Sequence, residues 1–283
     1  ASPAGALAID SEIDALRSMD VRNDFAKYLY QPSMKQQYAL NLRGGSDKIA
    51  WTASGAHDLN SDDLDAGFSR VNLRFQNIFR PFKKLELSSG IYYTQTESTS
   101  GRPGYGEAAA RNQYLFPYAR FADEVGNSLA IPKNWRQSFV QTVGDGKLLD
   151  WNYYPLEDFK HSTSKTSVND ILLNTGIRYS ILEGLAADLK YTYERQNRGT
   201  RSLNDAESYF ARDMINSYTQ LSPSGISYKI PKGGILDQTA GVVQSSNLRM
   251  QLNYNRTWKK HQLAAIGGSE LRRANDRSNR ARY

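Results

Sequence analysis

The sequence predicts an all-β fold: a transmembrane, antiparallel, up-and-down β-barrel segment of about eight strands, entered through a short helical lead-in. Three observations carry this. Four hairpins repeat a period-2 alternation that keeps apolar and polar residues on opposite faces. Connections alternate between short turns and longer loops, as in barrels with short periplasmic turns and long extracellular loops. The strands run about ten residues, with Tyr and Trp near their ends, which suits a bilayer with aromatic girdles.

Composition narrows the classes. The 283 residues suffice for one large or two modest domains. Hydrophobic content is 39%, mean hydropathy is −0.64, and no apolar run of about eighteen residues occurs, which excludes a helical span. Tyr, at 18 copies, outnumbers 10 Phe and 4 Trp together, a bias shared by polar β proteins and outer-membrane barrels. The net charge of +7 comes from Lys and Arg scattered among 29 acids, so no nucleic-acid face is built. Without cysteine there is neither a disulfide frame nor a thiolate metal site. The first residues lack the basic and apolar regions of a signal peptide.

Residues 1–35 form the lead-in. Ser11 is a cap candidate, Ile13, Leu16 and Met19 follow at helical spacing, and Asp24–Tyr30 makes a second turn ended by Pro32. The β region spans 36–275. Its first hairpin alternates Tyr38, Leu40 and Leu42 with Ala39, Asn41 and Arg43, turns at Gly44-Gly45-Ser46-Asp47, and returns through Ile49, Trp51 and Ala53. A polar loop at 58–68 leads to the second hairpin. There Val71, Leu73 and Phe75 precede a turn near Lys83-Lys84, and Leu85, Leu87, Ile91 and Tyr93 return. An irregular insertion at 97–166 then breaks the pattern with Pro103, Pro117, Pro132 and Pro155; so long a loop is usually functional. The third hairpin runs from Ile171 to Ile181, turns at Glu183-Gly184 and returns through Leu189, Tyr191 and Tyr193. A second insertion covers 197–243. The fourth hairpin presents Leu248, Met250, Leu252 and Tyr254, turns at Trp258-Lys259-Lys260, and returns through Leu263 and Ile266. Residues 276–283 read as a basic tail, poorly ordered if nothing pairs with it.

Alternation alone does not separate a lipid-facing surface from a buried core, so a soluble β-rich binding module and a passive eight-stranded porin or adhesin barrel stay open. The mid-strand charges Arg74, Glu86, Arg178, Lys190 and Arg249 suit a wet lumen better than a solvent face.

The run from Asp20 to Gly55, DVRNDFAKYLYQPSMKQQYALNLRGGSDKIAWTASG, resembles SusC/RagA-type TonB-dependent outer-membrane transporters of Bacteroidetes. The pieces FSRVNLRFQNIFRPFKKLELSSGIYY and SSNLRMQLNYNRTWKKHQLAAIGGSELR look like strands that follow in that family. The resemblance implies a 22-stranded barrel of which this chain is the plug-to-barrel lead-in and an early part. It implies import of an oligosaccharide or oligopeptide under a SusD-like surface lipoprotein, with TonB engaged through a region outside this chain. It also implies contact with lipid and lipopolysaccharide, and a remaining barrel segment or second chain to pair the open edges. Arg74, Glu86, Arg178, Lys190 and Arg249 would then line the path.

Other chemistry is thin. His57, His161 and His261 stand far apart and outside any metal or nucleophile motif. Asp58-x-Asn60-x-Asp62 opens like a calcium loop, but Asp63 and Ser69 stand where Gly and Glu are needed. Gly101–Gly106 lacks the strand-to-helix context of a phosphate loop. No enzyme and no cofactor is expected. The aromatic insertion has the best claim on function: Trp135, Trp151, Tyr153, Tyr154 and Tyr105 suit stacking on sugars or packing against a partner.

Overall fold

The computed structural model describes residues 13, 14, 16–109, 114–223 and 225–283. Residues 13–14 and 16–17 are helical, as the spacing predicts; the Ser11 cap lies outside the described residues. Eight long strands form one antiparallel sheet in the order β1-β2-β3-β4-β5-β6-β9-β10. They are β1 (Met34–Gly45), β2 (Ile49–Ser61), β3 (Gly67–Phe82), β4 (Leu85–Thr99), β5 (Ser162–Leu182), β6 (Leu185–Asn204), β9 (Ile235–Trp258) and β10 (His261–Arg282). A small hairpin, β7 (Gln220–Ser222) with β8 (Gly225–Ser227), lies inside the second insertion. Within this chain the sheet is open: β1 and β10 each have one paired side.

Connections follow the expected asymmetry. At one end lie tight turns at 46–48, 83–84, 183–184 and 259–260; at the other lie 62–66, 100–161 and 205–234. Gly184 has φ +82, and a Cβ on it would meet the Asn255 carbonyl oxygen at 2.5 Å, so this turn needs glycine twice over.

Strand alternation divides the sheet into two faces. One carries Tyr38, Leu40 and Leu42 on β1, Leu73 and Phe75 on β3, and Leu248, Met250 and Leu252 on β9. These side chains are exposed, Leu40 by 64% and Leu73 by 52%, which no water-facing surface requires. On β5 the apolar positions extend from Ile171 to Ile181. Ten steps of about 3.3 Å, tilted about 40°, rise about 25 Å, the height of a lipid-facing band. The hydrogen-bonded rows cut across this band. One row passes from Leu42 through Ala53, Phe75, Ile91, Leu173 and Tyr193 to Ser246 and Arg273. It begins apolar and ends charged, while the row from Ile49 through Phe79, Leu87, Ile177 and Leu189 is still apolar at Met250 on β9. A level band crossed by sloping rows is the signature of tilted barrel strands.

Three expectations are corrected. Strands continue past the band: β5 starts at Ser162, β6 runs to Asn204 and β9 starts at Ile235, so both insertions are shorter than 97–166 and 197–243. The loop expected at 58–68 shrinks to 62–66, with the Asp62 carboxylate accepting from the Leu64 and Ala66 amides at 3.0 and 2.8 Å. Residues 276–283 are no tail, because β10 pairs with β9 as far as Arg282 opposite Asp237, where the two side chains also form an ion pair at 2.7 Å.

The lead-in lies at the long-loop end, although the resemblance places it between plug and barrel. Asp20 caps a helical turn (Val21–Asp24) that continues as a π-turn (Phe25–Leu29). Val21, Phe25 and Leu29 thereby make one apolar stripe, and its partner is the first insertion: Phe25 meets Phe121 edge-on at 5.0 Å and Tyr105 at 5.2 Å. Backbone ties fix the contact, from Val21 N–H to the Pro117 carbonyl at 2.8 Å and from Gln31 N–H to Asp63 at 2.9 Å.

Candidate functional site: a polar face under a packed cap

Two structures could carry function: the polar face of the sheet and the cap over its long-loop end. Register places Arg74, Glu86, Arg178, Lys190 and Arg249 all on the polar face. Arg74 opposes Tyr92, Glu86 opposes Arg178, Arg178 opposes Asp188, and Lys190 opposes Arg249. Neighbours hold four of them in three separate clusters. The Arg74 guanidinium lies 5.3 Å from the Tyr92 ring, and Tyr92 Oη accepts from Gln76 at 2.7 Å. Arg80 pairs with Glu86 at 2.7 Å, and Arg178 stands 3.9 Å from Asp188. Arg249 donates to Gln251, Gln251 to Asn253, and Asn253 to Asp188. Nearer the long-loop end Asp58 is buried against Arg70 at 2.7 Å, which gives that carboxylate a partner in the sheet rather than in a calcium loop.

The cap is built from the lead-in and both insertions. Its buried centre holds Val21, Phe25, Leu29, Phe121, Ile131, Trp151, Tyr153 and Tyr209. Ser208 caps the helix Tyr209–Tyr218, accepting from the Ala211 amide, and so aims Asp213 at the first insertion. Asp213 Oδ1 accepts from both indoles, Trp135 at 3.0 Å and Trp151 at 2.7 Å, while Oδ2 accepts from Asn134. One carboxylate thus clamps the two insertions together. Lys133 donates to the carbonyls of Glu107 and Ala109 and sits 4.6 Å above the Tyr153 ring. Burial pushes its ammonium below the ordinary lysine range, against the pull of Asp158 and Glu107. Burial likewise raises the Asp158 carboxyl, whose oxygen accepts the Tyr209 amide, and lifts the Tyr153 and Tyr209 phenols far above theirs. A cavity of about 350 Å³ opens among Lys133, Tyr153, Asp158, Tyr209, Phe210 and Asp213.

Of the five aromatics singled out in the sequence, Trp151 and Tyr153 are buried and serve as cap core. Trp135 is 42% exposed beside Phe139, Tyr105 is 40% exposed, and Tyr154 is half-buried. Sequence reasoning missed Asp213 and Lys133. The signal available for Asp213 was Ser208 as an N-cap before Tyr209, Ile215 and their neighbours, inside a stretch that otherwise reads as loop.

No family model matches this sequence, and none of the curated proteins matches it significantly. Solved structures do match. The RagAB peptide importer in its closed-closed state superposes with a TM-score of 0.67 at 15% identity, over 94% of this chain and 27% of that one. This chain has the fold of a segment of the RagAB importer. The open-open state of RagAB gives 0.66 at 15% identity over 92% and 26%, and a further RagAB peptide transporter structure gives 0.64 at 14% over the same shares. The chain spans about a quarter of the length of these solved RagAB chains. Among the described residues no helix is long and apolar enough to cross a membrane.

Proposed function

We propose that this chain is part of the barrel of an outer-membrane nutrient importer of the SusC/RagA type. The observation that carries the reading is the two-faced sheet: an exposed apolar band of bilayer height backs a hydrogen-bonded polar face, on strands whose rows slope as barrel strands do. The apolar band faces lipid, the long-loop end faces outward with the lipopolysaccharide, and the short turns face the periplasm. β1 and β10 pair with further barrel strands from the same polypeptide or a second one, because open edges are not viable in hydrocarbon. That these two strands are unpaired with each other argues against a closed eight-stranded barrel.

The cargo is an oligopeptide or oligosaccharide held under a SusD-like lipoprotein and released inward by TonB-driven plug movement. Arg74, Glu86, Arg178, Lys190 and Arg249 line its path. Trp135, Tyr105 and Tyr154 touch cargo or lid, and Trp151 and Tyr153 hold the surface that presents them. The reading describes a transporter and assigns no catalysis.

The test is to extract the protein from native outer membrane in mild detergent, then measure intact mass and co-purifying lipoproteins. A mass above about 100 kDa is expected, since 31.9 kDa corresponds to about 27% of the matched chain. Recovery from the soluble fraction as a compact monomer would sink the reading.

A further inference from the structure

Several cations of the polar face have an acid. Asp58 holds Arg70, Glu86 holds Arg80, and Asp188 lies beside Arg178. The matching fails most sharply where two cations face each other. Lys190 and Arg249 stand directly opposite each other on β6 and β9, a like-charge pairing that a sheet normally avoids. The nearby acids are engaged elsewhere: Asp188 accepts from Asn253 at 2.5 Å, and Glu270, in register with Arg249, accepts from Asn247 at 2.6 Å. Arg249 makes its bond to a neutral acceptor, Gln251 Oε1, at 2.6 Å. Lys190 has no hydrogen bond or ion pair among the described residues. Both head groups border a cavity of about 440 Å³ whose remaining walls are Arg178, Asp188 and the amides of Gln251, Asn253 and Asn255.

We infer that Lys190 and Arg249 form a carboxylate-binding step on the polar face, and that the cargo is an oligomer bearing anionic groups. The guanidinium offers a planar fork and the ammonium a mobile point charge, so together they can grip one carboxylate from two sides. The amides beside them orient the bound group without neutralising the cations. Acidic side chains, a peptide C-terminus and acidic sugars all present this group. The step lies within the polar face, so it selects cargo already past the cap. This inference deepens the importer reading and rests on it.

The test uses the full transporter in vesicles with two labelled hexapeptides of equal length, one Glu-rich and one Gln-rich. Wild type is expected to import the acidic peptide about tenfold faster at low salt, a preference that shrinks as salt screens it. The double variant K190Q/R249Q is expected to bring the ratio to within about twofold of unity. An unchanged ratio overturns the inference. So does an unchanged ratio together with a lowered melting temperature of the peptide-free variant, which would assign the carboxylate to the protein itself. Equilibrium binding of the Glu-rich peptide to the detergent-solubilised protein separates the two readings. Binding that weakens about tenfold in the variant, without import of either peptide by wild type, would sink the importer reading and leave the anion site standing.

Discussion

The sheet and the cap are stabilised in opposite ways. The sheet has no core of its own: large apolar side chains such as Leu40, Leu73 and Ile266 face outward, and continuous ladders hold the strands. The cap is packed like a water-soluble domain, with Phe25, Leu29 and Phe121 fully buried. Where the solvent is hydrocarbon, the apolar face needs no second layer and the backbone must satisfy itself; where the solvent is water, apolar side chains must find one another. On the importer reading the same chain obeys two rules, divided near the level of Ile171 on β5.

Substitutions can break that comparison. The largest effect is expected from Phe25→Ala, which removes the ring between Phe121, Tyr105 and Tyr30 and should cost the cap about 3–5 kcal/mol. Limited proteolysis should then cut within 100–161 while the strands stay protected. Equal loss of the sheet would show that cap and sheet fold as one unit. Next comes Leu173→Arg, at mid-band on the apolar face, expected to cost about 2–4 kcal/mol in lipid, against little for the neighbouring Asn174→Arg on the polar face. Urea titration in vesicles measures both, and equal costs would remove the distinction between the faces.

Asp213→Ala leaves two indole N–H groups and Asn134 without their acceptor, at a cost of about 1–3 kcal/mol. Trp fluorescence should shift to the red as Trp135 and Trp151 loosen.

A gentler probe is alkaline pH. Tyr153 and Tyr209 are raised by burial, so the folded cap keeps them neutral after the unfolded chain begins to ionise near 10.0. Stability is full below that value and falls above it, by about 1.4 kcal/mol per pH unit for each tyrosine. Lys133, shifted downward, opposes the fall up to its ordinary 10.5. The double variant Y153F/Y209F should flatten the decline; an unaltered slope would mean that the cap opens for another reason.

How much of this was legible in the sequence divides along the same line. Ile171, Leu173, Ile177, Tyr179 and Ile181 announced β5 because one face of the strand is apolar and the other polar. Above the band that contrast vanishes. In Arg195–Asn204 both faces are mostly polar, and in Ile235–Gln244 apolar residues fall on both faces, so strands that continue in the ladder read as loops. The charged end of β10, from Asp276 to Arg282, read as a tail for the same reason. The cap core was illegible on different grounds. Phe25 finds Phe121, and Asp213 finds Trp135 and Trp151, across long separations that no local spacing records. Trp151 and Tyr153 stood out as aromatics, but only the packed cap reveals that they face inward while Trp135 faces outward.

The sloping rows carry one more consequence. Residues that share a row, such as Glu86, Arg178, Asp188 and Gln251, sit at successive heights along the axis of a barrel with tilted strands. Polar groups on that wall are therefore arranged like the thread of a screw. On the importer reading, an extended oligomer moving down it would meet its partners one after another while turning, and would hand each contact to the next without releasing all of them at once.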